Sequence, residues 1–246
     1  MRRASELESK TTAAPAPLDT SQTLWSQWRW WSIPALLALA LALIFIDPFI
    51  GDWDALDYTL VSIKGRPSSM ALGRSVFIFT NHAAWRVGHT FFGLSAENAY
   101  LLFKYMVVVQ SPLAVIACWT LARDVSRSLH TATIAALLVA TSPFFVIYSG
   151  QVMTEIPSLL LVGVALVVYL RGVRSGRLWL MLLGAAILGA GVNVREPVAF
   201  YALWLIAAPI SCGWTWGRRE VNRVALSIIV FLVVAFGPFV YWFWSD

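Results

Sequence analysis

The sequence predicts an all-α membrane protein, a bundle of about seven transmembrane helices with its N-terminus inside the cell. Of its 246 residues, 59% are apolar and only 13% are charged, and the mean hydropathy is +0.71. Soluble domains carry roughly 25% charged residues, and disordered chains are poor in apolar ones. The apolar residues also fall into runs close to the ~20 residues that a transmembrane helix needs. These runs are 32–50, 98–121, 130–148, 153–170, 178–194, 197–213 and 224–244.

The chain divides into a tail and a membrane module. Residues 1–28 are mostly polar, rich in Ala, Pro and Thr, and without periodicity, which predicts a disordered cytoplasmic tail. Arg2 and Arg3 resemble a twin-arginine signal, but the first apolar run begins some thirty residues later, so a signal anchor fits better. Residues 29–246 form the predicted module, and residues 51–97 its first outer loop.

Positive charge predicts the orientation of the module. With the tail and alternate loops inside, 12 of the 18 Lys and Arg residues are inside and 6 outside. The net charge of +5 is therefore attributed to membrane orientation, and no nucleic-acid partner is expected. The ratio of 15 Arg to 3 Lys is typical of a GC-rich bacterial genome, so the expected location is the bacterial inner membrane.

The first outer loop contains a second kind of helix. Residues 76–94 place an apolar stripe on one helical face and ionisable residues on the other, which predicts a helix lying flat in the interface. The stripe consists of Phe77, Thr80, Ala84, Val87, Phe91 and Leu94, and the opposite face of His82, Arg86 and His89.

Ionisable residues avoid the centres of the apolar runs and gather at their outer ends. A charge at the bilayer centre costs roughly 2.5–3.5 kcal/mol even on the lenient insertion scale. Three distant segments should bring acids and one guanidinium to a common membrane face. These residues are Asp47, Asp52, Asp54, Asp57, Glu155, Arg195 and Glu196.

The stretch 51–58 has two interpretations. A helix beginning near Asp54 places Asp54 and Tyr58 on one face, with Asp57 one turn from Asp54, and a shielded carboxylate there would serve as a general base. Alternatively, Asp52 and Asp54 cap an interfacial helix whose first turn favours acids.

Glu155 also has two interpretations. Thr154 fits an N-cap and Pro157 fits a first turn, so Glu155 would complement the helix dipole. However, the following run is short, which would place Glu155 at or below the headgroup level, facing protein or a water-filled cavity.

Two basic residues are candidate substrate ligands. Arg195 precedes a helix start marked by Pro197, and a helix N-terminus with a guanidinium favours phosphate. The alternative is an interfacial Arg paired with Glu196. Lys104, one to two turns into its run, is either a snorkelling side chain or a ligand.

No cofactor is indicated. His82 and His89 are seven residues apart without a suitably spaced third ligand, so no metal site is predicted, although metal dependence stays open. No disulfide is expected between Cys118 and Cys212. Small residues in 178–194, among them Gly184 and Gly189, predict close helix packing rather than a nucleotide loop.

The acidic stretch after the first run, the loop helix, and the Thr-Glu-Ile-Pro and Arg-Glu-Pro helix starts resemble one family. They are similar to polytopic glycosyltransferases of the GT-C fold, in the superfamily of dolichyl-phosphate-mannose protein mannosyltransferases and lipid A aminoarabinose transferases. The stretch 54–58 resembles the family's D-E-x-x-Y motif, with Ala55 in place of Glu, so Asp54 is the implied base and Asp52 the alternate. Family members are usually longer, so the chain is expected to be the shared seven-helix module or a truncated form.

The resemblance implies a membrane glycosyltransferase that moves a sugar from a polyprenyl-phosphate donor to an acceptor hydroxyl at the extracytoplasmic face, with inversion. Asp54 or Asp52 would be the base, and Glu155 would orient hydroxyls. Arg195, Asp57, Tyr58 and Lys104 would bind substrate. Membrane lipids and a lipid, glycan or protein acceptor are the expected partners. A polyprenyl-lipid flippase or transporter, or a non-catalytic scaffold subunit, is the alternative.

Overall fold

A computed structural model describes residues 24–46, 52–66 and 74–245 of the chain. Within these ranges the fold is all-α, as predicted, and contains no β-strand. The helices are α1 Trp28–Ile44, α2 Trp53–Lys64, α3 Ser75–Phe92, α4 Ala99–Ser126, α5 Leu129–Ala140, α6 Pro143–Ser149, α7 Glu155–Ser175, α8 Leu178–Val192, α9 Trp204–Ser211 and α10 Arg218–Ser245. Short 3₁₀ segments cover Leu24–Gln27, Ala96–Asn98 and Glu196–Leu203.

Within the described residues, each predicted apolar run contains helix, and the chain is a multi-pass membrane protein. Among the described residues, three helical stretches are long and apolar enough to cross a bilayer, namely Ala96–Ser126, Glu155–Ser175 and Arg218–Tyr241. A fourth exists if α5 and α6, bent by 61°, form one broken span. The other three apolar stretches are shorter, so the seven-span count and the inside N-terminus stay predictions.

Part of the predicted tail and of the acidic set lies outside the described residues. This concerns residues 1–23 and Asp47. Residues 24–27, assigned above to the tail, form a 3₁₀ turn that leads into α1. Gln27 of this turn is buried and accepts a hydrogen bond of 2.9 Å from Nη1 of Arg123, which fixes the start of α1 against α4.

Helices α4 and α7 run parallel. Phe103, near the start of α4, packs in one cluster with Met153, just before α7. Near their last turns, Nε of Arg171 donates to Oδ2 of Asp124 over 2.9 Å. We call the end at which both helices begin the Glu155 end, and the opposite one the Arg171 end.

Small residues let helices approach closely, as predicted for α8. A Cβ atom on Gly184 would lie 2.7 Å from the backbone nitrogen of Tyr169, and one on Gly189 would lie 2.8 Å from the carbonyl oxygen of Phe231. Since both distances are too short for a side chain, glycine is what allows α8 to pack against α7 and α10. Without a hydrophobic force between helices in lipid, such close packing is a main source of stability.

Four prolines lie inside the described helices, at positions 34, 112, 209 and 238, and all but Pro112 share one compensation. Proline lacks an N–H, so the carbonyl four residues earlier loses its helical donor, which is costly in a membrane. In these three cases a side-chain donor from another segment lies within hydrogen-bond distance of that carbonyl. Tyr169 donates to the carbonyl of Leu205 before Pro209 at 2.7 Å, and Asn193 donates to that of Val234 before Pro238 at 3.0 Å. The hydroxyl of Thr133 lies 3.3 Å from the carbonyl of Trp30 before Pro34 and shares its one hydrogen with the carbonyl of Leu129 at 2.9 Å.

One residue of each predicted face of the loop helix α3 packs inside the protein. Nδ1 of His82 lies 2.8 Å from the carbonyl oxygen of Ser62, so this residue of the predicted polar face packs against α2. Val87 and Phe91, on the predicted apolar stripe, are exposed, whereas Phe77 is buried. The reason is that α3 packs against α2 and α4, which a single-helix pattern does not contain. Leu94 lies beyond the helix, which ends before Gly93 in the left-handed conformation.

Candidate active site

An ion pair between Glu155 and Arg195 lies at the Glu155 end of the bundle. Glu155 is the first residue of α7, and Arg195 lies between α8 and the following 3₁₀ segment. Oε1 of Glu155 contacts Nη1 of Arg195, and the two side chains are 19% and 36% exposed. Oε2 of Glu155 is buried and has no hydrogen-bond partner among the described residues. The carboxylate therefore keeps one free acceptor.

The pairing of Arg195 corrects one sequence interpretation. The alternative that paired Arg195 with its neighbour Glu196 is wrong, because Glu196 lies 3.9 Å from Nε of Arg74. Arg195 has an extended backbone, with φ −157° and ψ 123°. Consecutive side chains on extended backbone point in opposite directions, which sends Arg195 and Glu196 to different partners.

Pro197 lies at the start of a 3₁₀ segment that begins at Glu196, and this is a second difference from the sequence prediction. The α-helix expected directly after Pro197 begins only at Trp204. Thr154 occupies the N-cap position of α7 as expected, but its side chain makes no capping hydrogen bond. Glu155 is thus the group in the first turn of α7 that carries the negative charge.

Asn193 fixes the segment that carries Arg195. Its side-chain amide is fully buried and donates to the carbonyl of Val234 at 3.0 Å and to that of Ala235 at 3.1 Å. Its own carbonyl accepts from the backbone N–H of Val76 at 3.1 Å. One residue thus joins the end of α8, the last part of α10 and the start of α3, two positions before Arg195.

A groove of about 590 Å³ contains the ion pair in its wall. It is formed where α5 bends into α6 and where α7 begins. Its polar lining is limited to Ser142, Tyr148, Glu155 and Arg195, and the remaining residues are apolar. These are Leu138, Val139, Phe144, Phe145, Ile156 and Leu159. Such a groove suits a long apolar chain that ends in an anionic group.

Helix α2 approaches the same end of the bundle. Oδ1 of Asp52 accepts a hydrogen bond of 2.9 Å from the backbone N–H of Asp54, so Asp52 is an N-cap, as one interpretation held. Asp54 is exposed and Asp57 is half-buried. Tyr58 is buried in the cluster that contains Met153 and Val194, the neighbours of the ion pair along the chain.

Arg74 links α2 to the segment of Arg195. Its guanidinium carbon lies 4.8 Å from the ring centroid of Tyr58, a cation–π distance, and its Nε faces Glu196. The structure therefore brings Tyr58, Glu155 and Arg195 to one end of the bundle. Among the described residues, Arg195 forms its ion pair with Glu155 and none with an aspartate of α2.

Lys104 is buried, with 1% of its surface exposed, so it does not snorkel to the surface. Its Nζ lies 5.4 Å from the ring centroid of Tyr100. It is on the second turn of α4, at the Glu155 end. No group of three or more His, Cys, Asp or Glu suited to a metal occurs in the described part of the chain. His89 instead lies against the carbonyl of Leu94, at 2.9 Å.

Four residues of this region were not predicted from the sequence. Ser142 and Tyr148 line the groove, and Arg74 and Asn193 hold the loops. The dipeptide Ser142-Pro143 is a helix-start signal inside an apolar run and would have indicated the bend. Asn193, a polar residue after a helix of small ones, would have indicated a buried hydrogen-bond site. Arg74 carries no comparable local signal.

A family model for dolichyl-phosphate-mannose-protein mannosyltransferases matches residues 85–242. The chain belongs to this family. It is therefore a membrane glycosyltransferase of the GT-C type, and such enzymes use a lipid-linked sugar donor and an acceptor. No curated protein and no solved structure matches the chain. Within this glycosyltransferase, the family match includes Lys104, Glu155 and Arg195, whereas α2 with its aspartates precedes the matched residues.

Proposed function

We propose that this glycosyltransferase moves a sugar from a polyprenyl-phosphate donor to an acceptor hydroxyl at the extracytoplasmic face of the bacterial inner membrane, with inversion. The observation that carries the proposal is the Glu155–Arg195 ion pair in the wall of an apolar groove. An apolar groove with one guanidinium matches a donor that has an isoprenoid chain and a single phosphate.

Arg195 is the proposed phosphate ligand. A guanidinium forms charge-assisted, often bidentate, hydrogen bonds to phosphate, and these are about twice as strong as neutral ones. During transfer the bond between the anomeric carbon and the phosphate oxygen breaks, and the electron pair leaves with the phosphate. Arg195 stabilises the charge that develops there. The phosphate competes with Glu155 for the guanidinium.

Glu155 is the proposed ligand of a hydroxyl on the sugar or the acceptor. Its Oε2 is buried without a partner among the described residues, and a buried acceptor of this kind is costly unless a ligand satisfies it. When the phosphate takes hydrogen bonds from Arg195, Oε1 also becomes available. Donor binding would thus free the carboxylate that orients the reacting groups.

Asp54 is the proposed general base. It takes the proton of the acceptor hydroxyl while the hydroxyl oxygen attacks the anomeric carbon from the side opposite the phosphate, which inverts the configuration. The position of Asp54 supports this role. Asp54 is exposed on the first turn of α2, and the buried Tyr58 of the same helix packs near the ion pair. Asp52 is the alternate base, although its capping hydrogen bond already occupies one oxygen. Asp57, Tyr58 and Lys104 are further proposed substrate contacts.

A transfer assay tests the proposal. The purified chain is reconstituted in vesicles with labelled polyprenyl-phosphate sugars and with lipids, glycans and proteins of the source membrane as acceptors. We expect labelled product of inverted anomeric configuration, and a loss of at least tenfold in Asp54→Asn or Arg195→Gln. Glu220→Gln and Arg218→Gln, which change matched charges at the Arg171 end, should retain the activity.

Four results would contradict the proposal. Product with retained configuration would exclude the single displacement. Full activity in both Asp54→Asn and Asp52→Asn, and in the double variant, would exclude the aspartates as bases. If labelled polyprenyl phosphate crosses the vesicle membrane without forming product, the chain is a flippase. If neither product nor crossing occurs under any acceptor, the scaffold alternative holds.

A further inference from the structure

We infer that the Arg171 end binds the headgroup of an anionic phospholipid, through Arg174, Arg177 and Arg223. This site lies at the opposite end of the bundle from the proposed active site, and it does not rest on the proposed function.

Two arginines belong to the turn between α7 and α8, and a third reaches it from α10. Arg174 and Arg177 flank Gly176, which has a left-handed backbone with φ 64° and ends α7. Arg223, on the second turn of α10, reaches the same turn: its Nη1 lies 3.8 Å from the position that a Cβ atom on Gly176 would occupy. The end of α7, the N-cap of α8 and the second turn of α10 thus each place one arginine at this turn.

These arginines lack a carboxylate partner among the described residues. The buried acid at this end, Asp124, is already bound by Arg123 at 2.6 Å and by Arg171 at 2.9 Å. Glu220, on the first turn of α10, forms no ion pair within the described ranges. Arg174 and Arg177 are exposed and Arg223 is half-buried. The site therefore has a net positive charge that an anionic headgroup would balance.

Apolar side chains continue from this turn along the outside of the bundle. Trp179 and Leu183 are exposed on α8, and Ile229 and Val233 are exposed on α10. Helices α8 and α10 pack side by side, as the contact of Gly189 with α10 requires. A phospholipid with its headgroup at the arginines would lay its acyl chains on these side chains. A free phosphate would not use this surface.

Charge argues against the N-terminal tail as the occupant. Residues 1–23 carry three acids, Glu6, Glu8 and Asp19, and three basic residues, Arg2, Arg3 and Lys10. A segment with balanced side-chain charge gains little from three arginines. Anionic headgroups, in contrast, are attracted by each basic residue near a membrane surface. The occupant favoured by these observations is therefore an anionic phospholipid.

Lipid titration of the purified full-length chain in detergent tests the inference. The apparent unfolding temperature is followed while phosphatidylglycerol, phosphatidylcholine or inorganic phosphate is added, because a ligand that binds the native state raises it. The site variant is Arg174→Gln with Arg177→Gln and Arg223→Gln. The matched control is a second triple variant, Arg29→Gln with Arg127→Gln and Arg218→Gln. It also removes three positive charges at the Arg171 end.

We expect phosphatidylglycerol to raise the unfolding temperature of the wild type and of the control in a saturable way. The site variant should bind phosphatidylglycerol at least tenfold more weakly. If that variant does not fold, single Arg177→Gln on the exposed turn should weaken binding about threefold. If both triple variants bind phosphatidylglycerol equally weakly, the attraction comes from the overall positive charge of this end, and the proposed site is overturned. An equal rise with phosphatidylcholine, a rise with inorganic phosphate, or no rise in the wild type would also overturn it.

Discussion

The side-chain amide of Asn193 donates a hydrogen bond of 3.0 Å to the carbonyl of Val234, the carbonyl that Pro238 leaves without its helical donor. The bend-prone part of α10 is thereby tied to the end of α8, two residues before Arg195. Because unpaired carbonyls are expensive in lipid, this contact contributes to stability and also positions the candidate active site.

Asn193→Ala should destabilise the protein by about 2 kcal/mol, since a buried carbonyl loses its donor and other hydrogen bonds are lost with it. In a Pro238→Ala background residue 238 regains an N–H, so the same substitution should cost about 1 kcal/mol less. Unfolding in detergent, measured for all four chains of the cycle, gives this coupling. Equal costs in both backgrounds would mean that Asn193 does not replace the donor missing at Pro238.

Tyr169 and Pro209 form a second test of the same compensation. Tyr169→Phe removes the hydroxyl that donates to Leu205 at 2.7 Å without changing the packing of the ring. We expect a loss of about 1 kcal/mol in the natural sequence. The loss should shrink when Pro209→Ala restores the backbone donor. If Tyr169→Phe costs the same stability in the Pro209→Ala background, the cost comes from other contacts of the hydroxyl.

Gly184→Val should prevent the close approach of α7 and α8. Its side chain would begin 2.7 Å from the backbone nitrogen of Tyr169, so the helices must separate, at about 1–3 kcal/mol or more. Gly237→Ala is the control, because nothing lies within 4 Å of its added Cβ atom. The control should unfold at the wild-type temperature or above it. A Gly184→Val chain as stable as the control would contradict the packing described for α8.

Arg74 should hold the loop helices α2 and α3 together through its cation–π contact with the ring of Tyr58. Tyr58→Phe keeps the aromatic face and should retain most transfer activity, whereas Tyr58→Leu removes the cation–π contact of about 1 kcal/mol and should lower activity several-fold. Limited proteolysis between α2 and α3 should become faster in Tyr58→Leu only. If Tyr58→Phe and Tyr58→Leu have equal activity and are cleaved equally fast, the contact between Arg74 and the ring does not hold the loop helices.

Most of the fold is predictable from local pattern. Apolar runs, proline positions and the acidic start of α2 are encoded in short windows, and each predicted run contains helix in its described part. The small residues Gly184 and Gly189 also identify a packing face without any knowledge of the partner. These features depend on neighbours along the chain, which a sequence displays directly.

The details of the site depend on partners distant in sequence. Arg195 has an acid beside it at Glu196 and another forty residues earlier, and only the backbone direction decides that Glu155 is its partner. Burial of Lys104 and the packing of His82 on α2 likewise follow from helix arrangement. The bend between α5 and α6 had a local signal in Ser142-Pro143, which the length of the apolar run concealed.

Glu155→Gln should separate donor binding from chemistry. The variant keeps a side-chain carbonyl but loses the charge that competes for Arg195, so donor binding should be unchanged or tighter. The loss of a charged hydrogen-bond acceptor for the reacting hydroxyl should lower kcat at least tenfold, which corresponds to about 1.4 kcal/mol. Steady-state transfer at varied donor concentration checks this. A raised KM with unchanged kcat would assign Glu155 to ground-state binding.

Binding of sugar-free polyprenyl phosphate is the most direct measurement of the role proposed for Arg195. We expect Arg195→Gln to bind at least tenfold more weakly than the wild type, because charged hydrogen bonds contribute about 1.5–3 kcal/mol. Arg218→Gln, at the Arg171 end, should bind with wild-type affinity. If Arg195→Gln binds polyprenyl phosphate as tightly as the wild type, the ion pair in the groove is not the phosphate site.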